Sequence, residues 1–354
     1  MDEFSVYKAI DEDQYEEIWK EAIFVFDTNA ILDVYRLPSE AANEFLSSVA
    51  KIKNRVFTPH HVALEFYRNR AGAMTSHETA ARKHRKSCQL ILDAVNKACD
   101  ELSSEKQSEI PSFTKLSDAL VKQIEKYGKE IDLAEQKGRF AFDEKEMLTR
   151  IEETFFSKRG SAYSLEKVAE IHEEGQARYE LERPPGYQDG KSKNKSYYHD
   201  GVYYESKYGD LIIWFQILDY CKSNKCKSVI FVTSDQKEDW WWQLNSEGKK
   251  NLGARPELKA EFCRVSGGEY LHFYTLDRYL TFAKKFEKVK VSKSSIESAE
   301  RVGRPALGIS MRGRATASVR HYLEHTGWNV LSAGRGKILA VDRSHRVYTN
   351  LVFM

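Results

Sequence analysis

Apolar residues run unbroken from Ala22 to Phe26, and an acid, Asp27, follows at once. Behind it Thr28-Asn29-Ala30-Ile31-Leu32 passes from polar into a helical pattern. A strand of a parallel sheet covered on both faces reads as such a continuous run, so the block predicts a buried strand over 22–27 that ends in a carboxylate. The arrangement recurs at Val229-Ile230-Phe231-Val232-Thr233, which runs into Ser234-Asp235. Between and around these blocks the pattern predicts a helix within 1–21 with Tyr15, Ile18 and Trp19 as its apolar face. A helix over 39–53 opens at Pro38 and Ser39, and Arg55 to Thr58 forms a short strand stopped by Pro59. A helix from His60 to Arg70 follows, and Lys207-Tyr208-Gly209-Asp210 opens another whose core is Leu211 to Phe215. A fourth strand spans Tyr270 to Leu276, and a closing helix 277–288. Strand and helix in alternation is the signature of an α/β fold with a parallel sheet.

Residues 71–182 break that rhythm. They are long, charged and helical in period, with stripes at Leu90, Ile91, Val95 and Leu102, at Leu116, Leu120, Ile124 and Ile131, and at Met147, Ile151, Phe155 and Val168. They are expected to be a helical insertion of hairpins beside the sheet, its charges a solvated face. The stretch Arg183-Pro184-Pro185-Gly186-Tyr187-Gln188-Asp189-Gly190-Lys191-Ser192-Lys193 is a loop by composition. The last segment, 291–354, is expected to be a small basic α+β module beyond a first domain at 1–290, with a helix over 317–325 and strands near 329–331, 338–341 and 347–348.

Charge sharpens this division. Residues 281–354 hold fourteen Lys/Arg and five acids, a net +9 against +2 for the whole chain, which leaves 1–280 at −7. A basic tail on an acidic body suits contact with a polyanion. The Gly303-Arg304-Pro305 segment and the apolar run Leu351 to Met354 also lie there, the latter suited to pairing with another subunit or partner protein. No apolar run approaches the roughly 20 residues of a membrane span. Five cysteines, Cys88, Cys99, Cys221, Cys226 and Cys263, match no zinc spacing. A reduced, cytoplasmic protein is the expectation.

Four acids stand at element boundaries: Asp27, Glu65, Asp210 and Asp235. Asp27 also suits capping of the next helix. In a parallel sheet these places face one edge, where ligands collect outside the carboxyl ends of the strands. Carboxylates gathered there repel one another unless cations lie between them. Mg²⁺ or Mn²⁺ suits ligands that are all oxygen. Two such ions can activate a water and stabilise the leaving oxygen of a phosphodiester. Asp33, Asp219 and Asp239 show that acids are plentiful, and Asp239 ranks behind the four.

The ordered motifs Asp27-Thr28-Asn29, Val62-Ala63-Leu64-Glu65-Phe66-Tyr67-Arg68-Asn69-Arg70, Arg183-Pro184-Pro185-Gly186-Tyr187, Tyr208-Gly209-Asp210-Leu211-Ile212-Ile213-Trp214, Thr233-Ser234-Asp235 with Gln236 to Trp241, and Arg255-Pro256-Glu257-Leu258 resemble the PIN-domain nucleases. The likeness is to the PIN-like group with a large helical insertion, PIN_8, over roughly 20–285. It implies a three-layer α/β/α sheet and a metal-dependent endonuclease, most often acting on RNA. It also implies Asp27, Glu65, Asp210 and Asp235 as catalytic metal ligands. Asn29, Arg68, Arg70 and Lys207 are candidates for contact with nucleic acid, since phosphate contacts position a strand without reading it. His60 and His61 are expected only to open a helix, and Trp240-Trp241-Trp242 to be core or interface rather than a stacking surface. Two alternatives stand beside this reading: a DNA nuclease of a bacterial anti-phage defence or toxin system, and a non-catalytic nucleic-acid-binding or assembly subunit.

Overall fold

The computed structural model describes residues 4–8, 12–102, 113–139, 143–245 and 249–303, and strands within 329–349. The chain divides into two compact units, 1–303 and 304–354. The first carries, in order, α1 (Glu12–Glu21), β1 (Ile23–Phe26), α2 (Thr28–Leu32), α3 (Ser39–Lys51) and α4 (His60–Met74). Then come α5 (Ser76–Leu102), α6 (Thr114–Arg139), α7 (Glu144–Phe155), α8 (Leu165–Glu180) and the short α9 (Tyr187–Gly190). A hairpin, β2 (Ser196–His199) and β3 (Val202–Glu205), leads to α10 (Gly209–Asn224) and β4 (Ser228–Val232). A second hairpin, β5 (Trp241–Asn245) and β6 (Lys249–Ala254), precedes α11 (Pro256–Ser266), β7 (Tyr270–Tyr274), α12 (Leu276–Phe286) and α13 (Lys293–Gly303).

β1, β4 and β7 form a parallel sheet in the order β1-β4-β7, with Phe24 opposite Ile230 and Ile230 opposite His272. All five residues of β4 are buried. Successive side chains of a strand point to opposite faces, so both faces of this strand are covered. This is the α/β fold with a parallel sheet and a helical insertion that the apolar runs and helical periods predict. The aromatic interior is dense: Trp19, Phe24, Phe26, Phe45, Phe155 and Tyr279 are almost wholly buried and meet ring against ring.

Three expectations change. The strand at Arg55–Thr58 is reduced to isolated bridges, Val56 to Phe24 and Thr58 to Arg159, because a 3₁₀ turn at Lys53–Arg55 and the Pro59 that opens α4 leave no length for a ladder. The insertion divides by burial. Only α5 and α6 form a projecting hairpin, joined through buried Val95 and Ile131, with Leu90, Ile91, Leu102 and Leu116 left exposed. Met147, Ile151 and Phe155 of α7 and Val168 and Ile171 of α8 belong to the same core as the sheet. Finally, α13 packs on α3 and α12, so residues 293–303, expected in the C-terminal module, belong to the first unit.

In 304–354 an antiparallel sheet runs in the order β10-β9-β8, with β8 (Asn329–Gly334), β9 (Lys337–Val341) and β10 (Val347–Thr349). The expected helix at 317–325, the Arg304-Pro305 pair and the terminal Leu351 to Met354 lie outside the described residues. No helix among the described residues is long and apolar enough to cross a membrane.

A buried ion pair fastens the insertion to the sheet domain. Arg178 of α8 and Glu261 of α11 are 2% and 7% exposed. They form a two-pronged pair at 3.0 and 2.7 Å. Trp214 of α10 donates to the same carboxylate at 2.9 Å, Arg183 approaches it at 2.6 Å, and Arg178 also donates to the Pro184 carbonyl. Removing a member so that a buried charge is left wholly unpaired costs about 3–5 kcal/mol. Arg178→Met leaves Glu261 with Arg183 and Trp214, so it is expected to lower stability by less than that, about 2 kcal/mol, read as an earlier urea midpoint at unchanged slope. Replacing residues 88–125 of the α5–α6 hairpin with a short turn is expected to leave the midpoint in place, since none of the described residues among them belongs to the core cluster.

Candidate functional site

Asp27 sits where β1 ends, its amide donating to the Val232 carbonyl of β4 at 2.9 Å. Its Oδ1 accepts from the Thr28 amide and its Oδ2 from the Thr233 hydroxyl, both at 2.8 Å. Both readings of this acid meet in one side chain. It caps α2 and also lies at the sheet edge among other acids. Only 8% exposed, it is pushed up to about 7 by burial, with the nearby charges of Glu65 and Asp235 adding to the effect.

Glu65 lies in the second turn of α4, and its Oε2 accepts from the Thr28 hydroxyl at 2.8 Å. One threonine thus ties the first two acids together, its amide to Asp27 and its hydroxyl to Glu65. Burial raises Glu65, and Asp189 raises it further. Asp210 stands in the first turn of α10 and accepts from the Trp240 indole at 3.1 Å. Two glycines let it come this close. A Cβ on Gly209 would lie 2.7 Å from Glu65 Oε1. One on Gly186, at φ +88°, would lie 3.0 Å from Asp210 Cβ and 2.4 Å from the Tyr179 hydroxyl. Burial, then Asp189, pushes Asp210 well above the carboxylate range. Asp235 follows β4 and is fixed by its own turn, its amide on Thr233 Oγ1 and the Lys237 amide on its Oδ1, each at 3.0 Å.

The composition-defined loop supplies a fifth acid that sequence reasoning passed over. Asp189, in α9, is 2% exposed and pairs with Lys237 at 2.6 Å and with Lys193. Lys237 also reaches Asp235 at 2.8 Å. Its amine therefore bridges its neighbour Asp235 to an acid carried by a separate turn, α9. Burial alone would lower Lys237, but Asp210 and Asp235 outweigh it and raise the amine. Asp239, held in second rank by its spacing, is wholly buried. It accepts from the Gln188 amide at 2.9 Å, and its other oxygen has no hydrogen bond among the described residues. It anchors the α9 turn. The signal for Asp189 was present in the acid and lysine that follow Pro-Pro-Gly-Tyr, but nothing in the linear pattern set that turn beside Asp210.

The candidates for nucleic-acid contact divide. Asn29 is exposed at the start of α2. Arg68 is exposed and lies over the Tyr197 ring at 3.5 Å. Arg70 is turned toward Glu144, at 3.7 Å, and Tyr35, so it braces α4 against the insertion. Lys207 pairs with Glu205 at 2.9 Å. Asp33 is a structural acid, buried between Arg36 and Ser234, and Asp219 accepts from Tyr163. His61 is buried, and burial lowers it to about 3, so it is neutral. Trp240 and Trp241 are core, and their indoles also hold Asp210 and the Asp235 carbonyl.

The donors gathered here are hard oxygens, which suits a divalent cation of the Mg²⁺ or Mn²⁺ type. Acids raised by burial and by one another are what a cation would relieve. Among the described residues no group of three or more His, Cys, Asp or Glu stands in a geometry that would hold a metal ion as the side chains lie. Instead, Thr28, Thr233, Trp240, Lys193 and Lys237 occupy the carboxylate oxygens.

A family model described as a PIN-like domain, PIN_8, matches residues 23–258, more than half of the chain and inclusive of Asp27, Glu65, Asp189, Asp210 and Asp235. No curated protein and no solved structure matches. PIN-like domains are generally nucleases that use divalent metals, and this chain belongs to the PIN-like domain family.

Proposed function

We propose that this chain is a metal-dependent endonuclease that hydrolyses phosphodiester bonds, with RNA as its preferred substrate and Mg²⁺ or Mn²⁺ as its cofactor. The observation that carries the reading is that Asp27 and Asp235 end neighbouring parallel strands while Glu65 and Asp210 open onto the same place, all within one electrostatic cluster. RNA is favoured by the family likeness. A bound divalent cation would supply a polarised attacking water and offset charge on the phosphate. The chain supplies the rest. Thr28 and Thr233 fix Asp27, Thr28 fixes Glu65, and Trp240 fixes Asp210. Lys193 and Lys237 pair with the acids, and with a cation held there their amines would be free to hold the substrate phosphate.

Purified protein incubated with labelled RNA and DNA, with Mn²⁺ or with chelator, tests the reading. Metal-dependent cutting of RNA supports it, cutting of DNA alone moves the substrate, and no cutting of either overturns it. Asp27→Asn and Asp235→Asn are each expected to reduce cleavage to background with the circular-dichroism spectrum unchanged. Full activity in both would remove these acids from the mechanism.

The metal-free protein is expected to be more stable at pH 5 than at pH 8. An acid whose folded pKa is raised from 3.8 to about 7 binds its proton more tightly when folded, so stability falls as pH rises through that window. Asp27 contributes at most about 3 kcal/mol of this difference, since only about two units lie between pH 5 and its folded pKa. Thermal melts in chelator should show the trend, flattened in Asp27→Asn, and added Mn²⁺ should restore stability at pH 8.

The C-terminal unit supplies eight of the fourteen basic residues beyond 280. A chain ending at residue 303 is expected to keep the melting transition of the first unit and to bind RNA more weakly, with a shallower dependence on salt. Titration of labelled RNA at two salt concentrations reads both quantities.

A further inference from the structure

Strand β7 stands at one end of the described parallel sheet and reads Tyr270-Leu271-His272-Phe273-Tyr274. Successive side chains of a strand point to opposite faces. Phe273 packs on one face, against Trp240 and Trp241. His272 and Tyr274 share the other, their rings 4.7 Å apart. On that face α1 sets Tyr15 edge-on to His272 at 5.1 Å, and α12 brings Phe282 to 5.0 Å from Tyr274. Between the two helices and the strand lies a cavity of about 300 Å³, lined by Tyr15, His272, Tyr274, Arg278, Thr281 and Phe282. Its mouth is marked by Arg278 and Thr281, both exposed and one turn apart on α12.

The polar groups of this cavity lack partners. His272 and Tyr274 are 8% and 1% exposed, and neither makes a hydrogen bond among the described residues. Buried polar side chains ordinarily have one. Arg278 has no ion pair among the described residues, and no carboxylate lines the cavity. Burial, then Lys259 and Arg278, lower His272 to about 3. The imidazole is therefore neutral, with one donor and one acceptor. The Lys259 amine donates to the Val6 carbonyl at 3.2 Å rather than to an acid. Residues 1–280 are acidic overall, at −7. Cations gathered here without acids reverse that charge locally and suit an anion.

A guanidinium fork matches phosphate and carboxylate alike. Two nearby positive charges favour a dianion, and a phosphate monoester carries about −1.5 to −2 at pH 7. Four of the lining side chains are rings, against which a planar ring packs by face or by edge. A volume of about 300 Å³ stands at the small end of ligand sites.

We infer that the cavity between α1, β7 and α12 binds a phosphate monoester carried on a planar ring, of mononucleotide size. Arg278 holds the phosphate, and His272 and Tyr274 supply hydrogen bonds from within. No residue that lines the cavity belongs to the acid cluster, so the inference stands apart from the nuclease reading.

Isothermal titration of the full-length protein in chelator tests it, with adenosine monophosphate, adenosine, inorganic phosphate and a 5′-phosphorylated dinucleotide as probes. The monophosphate is expected to bind one to one, with adenosine and inorganic phosphate each weaker by roughly tenfold or more. Arg278→Ala should weaken the monophosphate by roughly tenfold or more, since a charge-assisted hydrogen bond is lost. Arg278→Lys, which keeps the charge and loses the fork, should fall between. Thr281→Trp should close the mouth and remove binding with every cation in place. Both positions are exposed, so the melting temperature should not move. A dinucleotide that binds as tightly as the monophosphate supports the site as one for strand ends, and its exclusion supports a site for free nucleotides. The inference is overturned if neither phosphate ester binds at millimolar concentration, if adenosine binds as well as its monophosphate, or if Arg278→Ala and Thr281→Trp leave the affinity unchanged.

Discussion

Mutual repulsion among buried carboxylates is the constraint around which the first unit is built. Asp27, Glu65 and Asp210 are all raised by burial and by neighbouring acids. A cluster of that kind survives only where donors are supplied for its oxygens. The fold supplies them in a consistent way: hydroxyls from Thr28 and Thr233, an indole from Trp240, and the amines of Lys193 and Lys237. The donors come from three places in the chain, α2, the loop after α9 and the segment between β4 and β5, so the acids are held by tertiary structure. Lys237 is the centre of this balance, since its amine spans Asp189 and Asp235.

The second support is mechanical. The Arg178–Glu261 pair joins α8 to α11, takes in Trp214 of α10, and grips the Pro184 carbonyl at the base of the turn that carries Asp189. The insertion is therefore divided by role. α7 and α8 complete the core and carry a wall of the site, whereas the α5–α6 hairpin stands apart from the core cluster. A solvated helical insertion and a structural one have the same period, and burial alone separates them.

Much of the site was legible because a buried parallel strand announces its own end. The continuous apolar runs before Asp27 and Asp235 read as strands covered on both faces, and the acid beyond each run lies past the carboxyl end of its strand, the edge where the candidate acids gather. Glu65 and Asp210 were legible through their motifs. Asp189 was not, because its turn is defined by Gly186, Asp239 and Tyr179, residues that meet only in space. The β2–β3 hairpin carried a readable Asp200-Gly201 turn signal, yet which pair of its tyrosine rings faced outward depended on what lay beneath.

By itself the sequence determined the alternation of strand and helix, the order of the four acids and the division of charge along the chain, because these depend on local period and composition. Only the tertiary structure decided that Lys237 would stand between Asp189 and Asp235, that Arg70 would turn to the insertion rather than the site, and that Tyr198 and Tyr203 would remain open. Those outcomes depend on which surfaces remain uncovered after packing. Packing is a property of elements far apart in the chain, and no local window contains it.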